Sequence, residues 1–62
     1  MTAEESLRRA EQLMERLEET RARLEGTTDP ETAIEVLSEL AEIAREVEAA
    51  LSQAKREADA AP

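Results

Sequence analysis

Aromatic residues, cysteine and histidine are all missing from this chain of 62 residues, and glycine occurs once. Each absence removes a class of function. Without cysteine there is no disulfide framework, and without cysteine or histidine there is no ordinary zinc site. Without Phe, Tyr or Trp there is no platform on which single-stranded bases could stack. A single glycine, Gly26, is too few for a phosphate-cradling loop. Long apolar runs are missing too, so no segment approaches the ~18 residues of a membrane span. Residues 1–20 carry charges every few positions, which is not the pattern of a signal peptide, and a cytoplasmic location is expected.

Acids are abundant. Sixteen Asp and Glu face eight Lys and Arg, for a net charge of −8. Residues 29–59 hold nine acids against three bases, Arg45, Lys55 and Arg56. Such a field repels phosphate and anionic lipid, so neither direct nucleic-acid binding nor membrane binding is expected. Arginine outnumbers lysine seven to one.

The apolar spacing is helical. Thr2 followed by Glu5 is a capping-box pattern, in which a hydroxyl and a carboxylate satisfy free amides of a first turn. Apolar positions then run Leu7, Ala10, Met14, Leu17 and Leu24 in steps of three and four, with Leu13 widening the stripe and Arg21 filling the gap. Gly26 stands where a helix-ending C′ glycine belongs. Thr28 or Asp29 caps a second helix, Pro30 takes its first position and Glu31 complements its dipole. The expected fold is all-α: an antiparallel two-helix hairpin with helix 1 over about 3–25, a break at 26–29, helix 2 over about 30–58 and a frayed tail at 59–62.

A hairpin of this size has little interior. It buries only ~60% of its unfolded surface, and one small core rarely supplies more than ~3–5 kcal/mol. Completion by self-association or by a partner helix is therefore expected. Helix 2 carries two adjoining seams, one through Ala33, Leu37, Leu40, Ala44, Val47, Leu51 and Ala54, the other through Val36, Leu40, Ile43, Val47, Ala50 and Ala54. One seam closes on helix 1 and the other meets a further helix. Leu7, Met14, Leu17, Leu24, Leu37 and Leu51 are assigned to the hairpin core, and Val36, Leu40, Ile43, Val47 and Ala50 to the partner. On that assignment Ile43→Glu leaves a helical chain that no longer associates, whereas Leu37→Glu or Leu17→Glu unfolds it. Glu31, Glu35, Glu39, Glu42 and Glu46 are placed on the face away from both seams. Arg21, a charge at a seam position, either extends past the loop end or pairs with an acid across an interface.

No catalytic, cofactor-binding or metal-binding residues are expected. Nucleophilic catalysis needs an activated nucleophile beside a base. Ser6, Ser38 and Ser52 lie on helices among charged residues, and Ser52 and Lys55, three residues apart, read as a solvated surface. Di-iron bundles use Glu-x-x-His motifs, which need the histidine this chain lacks.

In layout the chain resembles the small subunit of exonuclease VII. Ala10-Glu11-Gln12-Leu13-Met14-Glu15-Arg16-Leu17-Glu18 leads to Arg23-Leu24-Glu25-Gly26, and Ala33-Ile34, Leu37, Ile43-Ala44-Arg45, Leu51 and Ala54 fall on that family's apolar positions. The likeness spans roughly residues 10–57. The chain departs from the family at Ala10 and Leu37, where aromatics are usual, at Leu40, where a glycine is usual, and at Thr20 and Arg21, where apolar residues are usual. The resemblance implies a non-catalytic accessory subunit, several copies of which bind helical regions of a large subunit that degrades single-stranded DNA. Two alternatives stand beside it: a self-associating four-helix or coiled-coil module, and an acidic regulatory microprotein that masks a basic surface with its Glu31–Glu48 face. Salt separates the last from the others, because charge-driven docking weakens steeply as ions are added.

Overall fold

A computed structural model describes residues 2–60, and it is an all-α hairpin. Helix α1 spans Ala3–Gly26 and helix α2 spans Pro30–Ala60. A short link of residues 27–29 joins them. The Cα extents are 52 × 14 × 12 Å, a rod two helices wide. No helix among the described residues is long and apolar enough to cross a membrane.

The ends of the helices follow from side-chain chemistry. Thr2 is extended, and its Oγ1 accepts from the Glu5 amide at 3.1 Å. Glu4 and Glu5 then complement the positive end of the α1 dipole. At the start of α2 it is Asp29 that caps: its Oδ2 accepts from the Thr32 amide at 3.0 Å and from the Thr32 hydroxyl at 2.7 Å. Both bonds favour the ionised carboxylate, which holds Asp29 below the usual aspartate range.

Gly26 departs from the expected C′ role. It is the last residue of α1, and no described residue has positive φ. Thr27 turns the chain instead, with φ −90° and ψ 132°, and its amide donates to the Leu24 carbonyl at 3.2 Å. An extended threonine feeding Asp29-Pro30 makes the corner without a left-handed residue. At the far end α2 continues through Asp59 and Ala60, which therefore belong to the helix; residues 61 and 62 lie outside the described region.

Burial sets the register between the helices. On α1 the inward positions are Ala3, Ser6, Ala10, Leu13, Leu17, Thr20 and Leu24, and Thr27 continues the series. On α2 they are Ala33, Val36, Leu40, Ile43, Val47, Ala50, Ala54 and Glu57. Both series alternate steps of three and four without a break, the a/d seam of a coiled coil. Ala10, Leu13, Ile43 and Ala50 form the core cluster, with Leu17 and Val47 packed against it. Contacts at opposite ends, Ser6 to Glu57 and Arg23 to Glu39, fix the antiparallel direction.

Two fully inward residues, Ser6 and Thr20, are polar and satisfied. Ser6 is fully buried, and its hydroxyl donates to Glu57 Oε1 at 2.6 Å. Thr20 is also buried, and its Oγ1 donates back to the Arg16 carbonyl at 2.8 Å. A buried hydroxyl left unpaired would cost free energy, so these bonds are what allow the two residues inside.

Candidate interaction surface

With a and d buried, the positions flanking the seam decide what the hairpin can meet. On one flank, the g positions of α1 are Arg9, Arg16 and Arg23, and those of α2 are Glu39, Glu46 and Gln53. Arg23 reaches Glu39 Oε2 at 3.0 Å, as an ion pair without hydrogen-bond alignment, and that carboxylate oxygen is itself tucked out of solvent. Stepping one heptad at a time from this pair puts Arg16 level with Glu46 and Arg9 level with Gln53. The flank is a fence of arginines facing two glutamates and a glutamine, in which Arg23 and Glu39 form an ion pair. Beside it Ser6, Arg9, Leu13, Glu46, Ala49, Ala50 and Gln53 line a shallow, open groove of about 260 Å³, left by the small side chains of Ala49 and Ala50.

The opposite flank is apolar. Its e positions are Leu7, Met14 and Arg21 on α1, and Leu37, Ala44, Leu51 and Ala58 on α2. The b positions of α2 widen it with Ile34 and Ala41 before Glu48 and Lys55. Leu7 is 48% exposed, Met14 57%, Ile34 64%, Leu37 51% and Leu51 46%. All five large exposed hydrophobics of the described chain thus share one flank. A monomer gains little from such a stripe, which makes this flank the candidate interaction surface.

This reverses the inside and outside of the two seams inferred from sequence. Val36, Ile43 and Ala50, assigned to a partner, are buried between α1 and α2, and Leu40 and Val47 are half-buried there. Leu7, Met14, Leu37 and Leu51, assigned to the hairpin core, face outward. Only Leu17 and Leu24 of that set turn inward. The physical cause lies in Ser6 and Thr20. Both occupy d positions, so a count of apolar residues alone rotates the α1 stripe toward Leu7 and Met14. The signal that locates the true seam is the charge fence, because Arg9, Arg16 and Arg23 recur every seven residues opposite acids and amides that do the same.

Within the hairpin Arg21 stays on the surface of its own helix. It is exposed at an e position, and its guanidinium binds Glu18 and Glu25 one turn away on either side. The hydrogen bonds and charge of Arg21 hold Glu18 below the usual glutamate range, and the two carboxylates push the arginine further up. Glu39 and Glu46 likewise leave the outer face to which the sequence assigned them and border the seam instead. Ser38, Ser52 and Lys55 are all exposed on α2. Among the described residues, no group of three or more Asp and Glu is placed to hold a metal ion.

Comparison with protein-family models, with curated proteins and with solved structures found no match to this chain.

Proposed function

We propose that this chain is a non-catalytic, cytoplasmic interaction subunit that joins a protein assembly through the flank formed by Leu7, Met14, Ile34, Leu37 and Leu51. The observation that carries this reading is the asymmetry of the hairpin: one side of its seam is lined by arginines, glutamates and a glutamine, with Arg23 paired to Glu39, and the other leaves five large apolar side chains about half exposed. Docking there would bury apolar area at roughly 25 cal/mol per Å². It would also supply the packing that a core of this size lacks. The acidic-mask alternative draws less support, since Glu39 already faces Arg23 within the hairpin.

The likeness of residues 10–57 to the exonuclease VII small subunit supports a nuclease large subunit as the first partner to try. Co-expression of the two chains, followed by purification and a single-strand degradation assay, tests it. Co-purification that the Leu37→Glu/Leu51→Glu variant abolishes, with the variant still helical, supports docking through this flank. A variant that co-purifies as well as the native chain would exclude the flank.

A further inference from the structure

The apolar flank is a groove with one acidic wall, and we infer that its occupant is an amphipathic helix of a different protein, edged with Arg or Lys on the side that lies against α1. The inference rests on the interaction-subunit reading and deepens it by naming the partner's chemistry. The groove is open because the seam closes on one side only. The d positions Ser6, Leu13, Thr20, Val36, Ile43 and Ala50 are all buried, whereas the large a residues Leu17, Leu24, Leu40 and Val47 are half-buried. Around each helix a neighbours e and d neighbours g, so the unfinished side is the one bordered by Leu7, Met14, Leu37 and Leu51.

A helix is the shape that fits. The groove between two packed helices seats a third lengthwise, against the a and e residues of both. A strand would find no backbone to pair with, because the amides and carbonyls of α1 and α2 are bonded within their own helices, whereas a helix satisfies its own. The Arg23–Glu39 pair fixes the levels of the two helices and puts Leu7 about level with residue 55. The apolar part of the groove therefore runs from Ile34 to that level, about 21 residues or about 32 Å of helix.

The two walls differ in charge. Beyond its e row α1 presents Glu4, Glu11, Glu18 and Glu25, one acid per heptad at intervals of about 10 Å. This row is separate from the Glu31–Glu48 face of α2. Arg21 answers Glu18 and Glu25, but Glu4 and Glu11 form no ion pair among the described residues. The α2 wall begins with Ile34 and Ala41 and ends in Glu48 and Lys55, one charge of each sign. A seated helix thus meets uncompensated acid along one edge, beside Leu7 and Met14, and bases spaced by seven answer it. The net charge of −8 steers such a helix in from a distance. A second copy of this chain does not offer that edge. Its arginines at seven-residue intervals, Arg9, Arg16 and Arg23, border the buried d residues on the other flank, and its residues 29–59 hold three bases against nine acids.

A display library selected on the full chain tests this. Its members are helices of about 24 residues, long enough to span the groove, with a fixed leucine stripe and every bordering position drawn evenly from Lys, Glu and Ser. The expected winners carry Lys at seven-residue spacing along one edge and fail to bind Leu37→Glu/Leu51→Glu. They bind Glu4→Lys/Glu11→Lys about tenfold more weakly, since each exposed pair is worth a few-fold at most. On Glu4→Lys/Glu11→Lys the same library should enrich Glu along that edge. Both variants change exposed residues and should remain helical by circular dichroism. Winners with neutral or acidic edges, or with Lys on both edges alike, would overturn the inference while leaving the flank a docking surface. Winners indifferent to Leu37→Glu/Leu51→Glu would overturn the inference and count against the flank itself. A chain that sediments at twice its 6.9 kDa mass, and at the single mass once Leu37→Glu/Leu51→Glu is introduced, would overturn it by seating a second copy in the groove.

Discussion

Truncating Ile43 and Leu37 to alanine in parallel separates the inside of this hairpin from its outside. Ile43 is 3% exposed and sits in the cluster with Ala10, Leu13 and Ala50, whereas Leu37 is 51% exposed. Removing a buried Ile loses its transfer free energy and leaves a cavity, together about 2–5 kcal/mol. Leu37 is only half removed from water, so its truncation forfeits no more than about half the ~1.5–3 kcal/mol of full burial, or ~1 kcal/mol. Against a total of ~3–5 kcal/mol, the first change takes most of the stability and the second a minor share. Urea unfolding followed by circular dichroism at low micromolar concentration, where association adds little, reads both. At ~1 kcal/mol per M, the Ile43→Ala midpoint falls by about 2 M or more, or the native baseline disappears, while Leu37→Ala falls by about 1 M or less. Equal losses, or a larger loss for Leu37→Ala, would refute the assignment of the seams.

Three further changes probe the ends and the polar positions of the seam. Gly26 is helical and lacks positive φ, and the space an alanine methyl would take there has no neighbour within 4 Å, so Gly26→Ala should stabilise by about 0.5–1 kcal/mol and raise Tm by several degrees in a thermal melt. Asp29→Ala should lower Tm at pH 7, and Asp29→Ser should recover most of the loss. Because the Asp29 pKa is lower folded than unfolded, its contribution is present above pH ~4 and fades as pH falls through the depressed value. The Tm gap between native and Asp29→Ala chains should therefore narrow in melts below pH 4. A four-melt double-mutant cycle of Ser6→Val and Glu57→Leu should read a favourable Ser6–Glu57 coupling of about 1 kcal/mol.

Helix type, the loop position and both N-caps were legible in the residues themselves. Thr2 with Glu5, and Asp29 with Pro30, are local signals whose chemistry acts within one turn, so nothing distant overrides them. The phase of the α1 stripe was not legible from hydrophobicity, because Ser6 and Thr20 go inside on the strength of bonds to Glu57 and the Arg16 carbonyl. One of those partners lies 51 residues away, beyond any local pattern. The α2 seam from Val36 to Ala54 was visible, but which of two seams faces α1 depended on that same phase. Gly26 misled for a related reason. A glycine near a helix end suggests a left-handed cap, yet Thr27 in an extended conformation makes the turn. The candidate surface was thus present in the sequence as residues, with inside and outside exchanged.

The most direct test of the account is to compare the native chain with Leu37→Glu/Leu51→Glu by sedimentation equilibrium and circular dichroism at the same concentrations. Both chains should be helical, and any association of the native chain should be lost in the variant, because the glutamates enter an outer flank and leave the seam intact. A variant that unfolds would place Leu37 and Leu51 in the core and contradict the structure's division of the two faces.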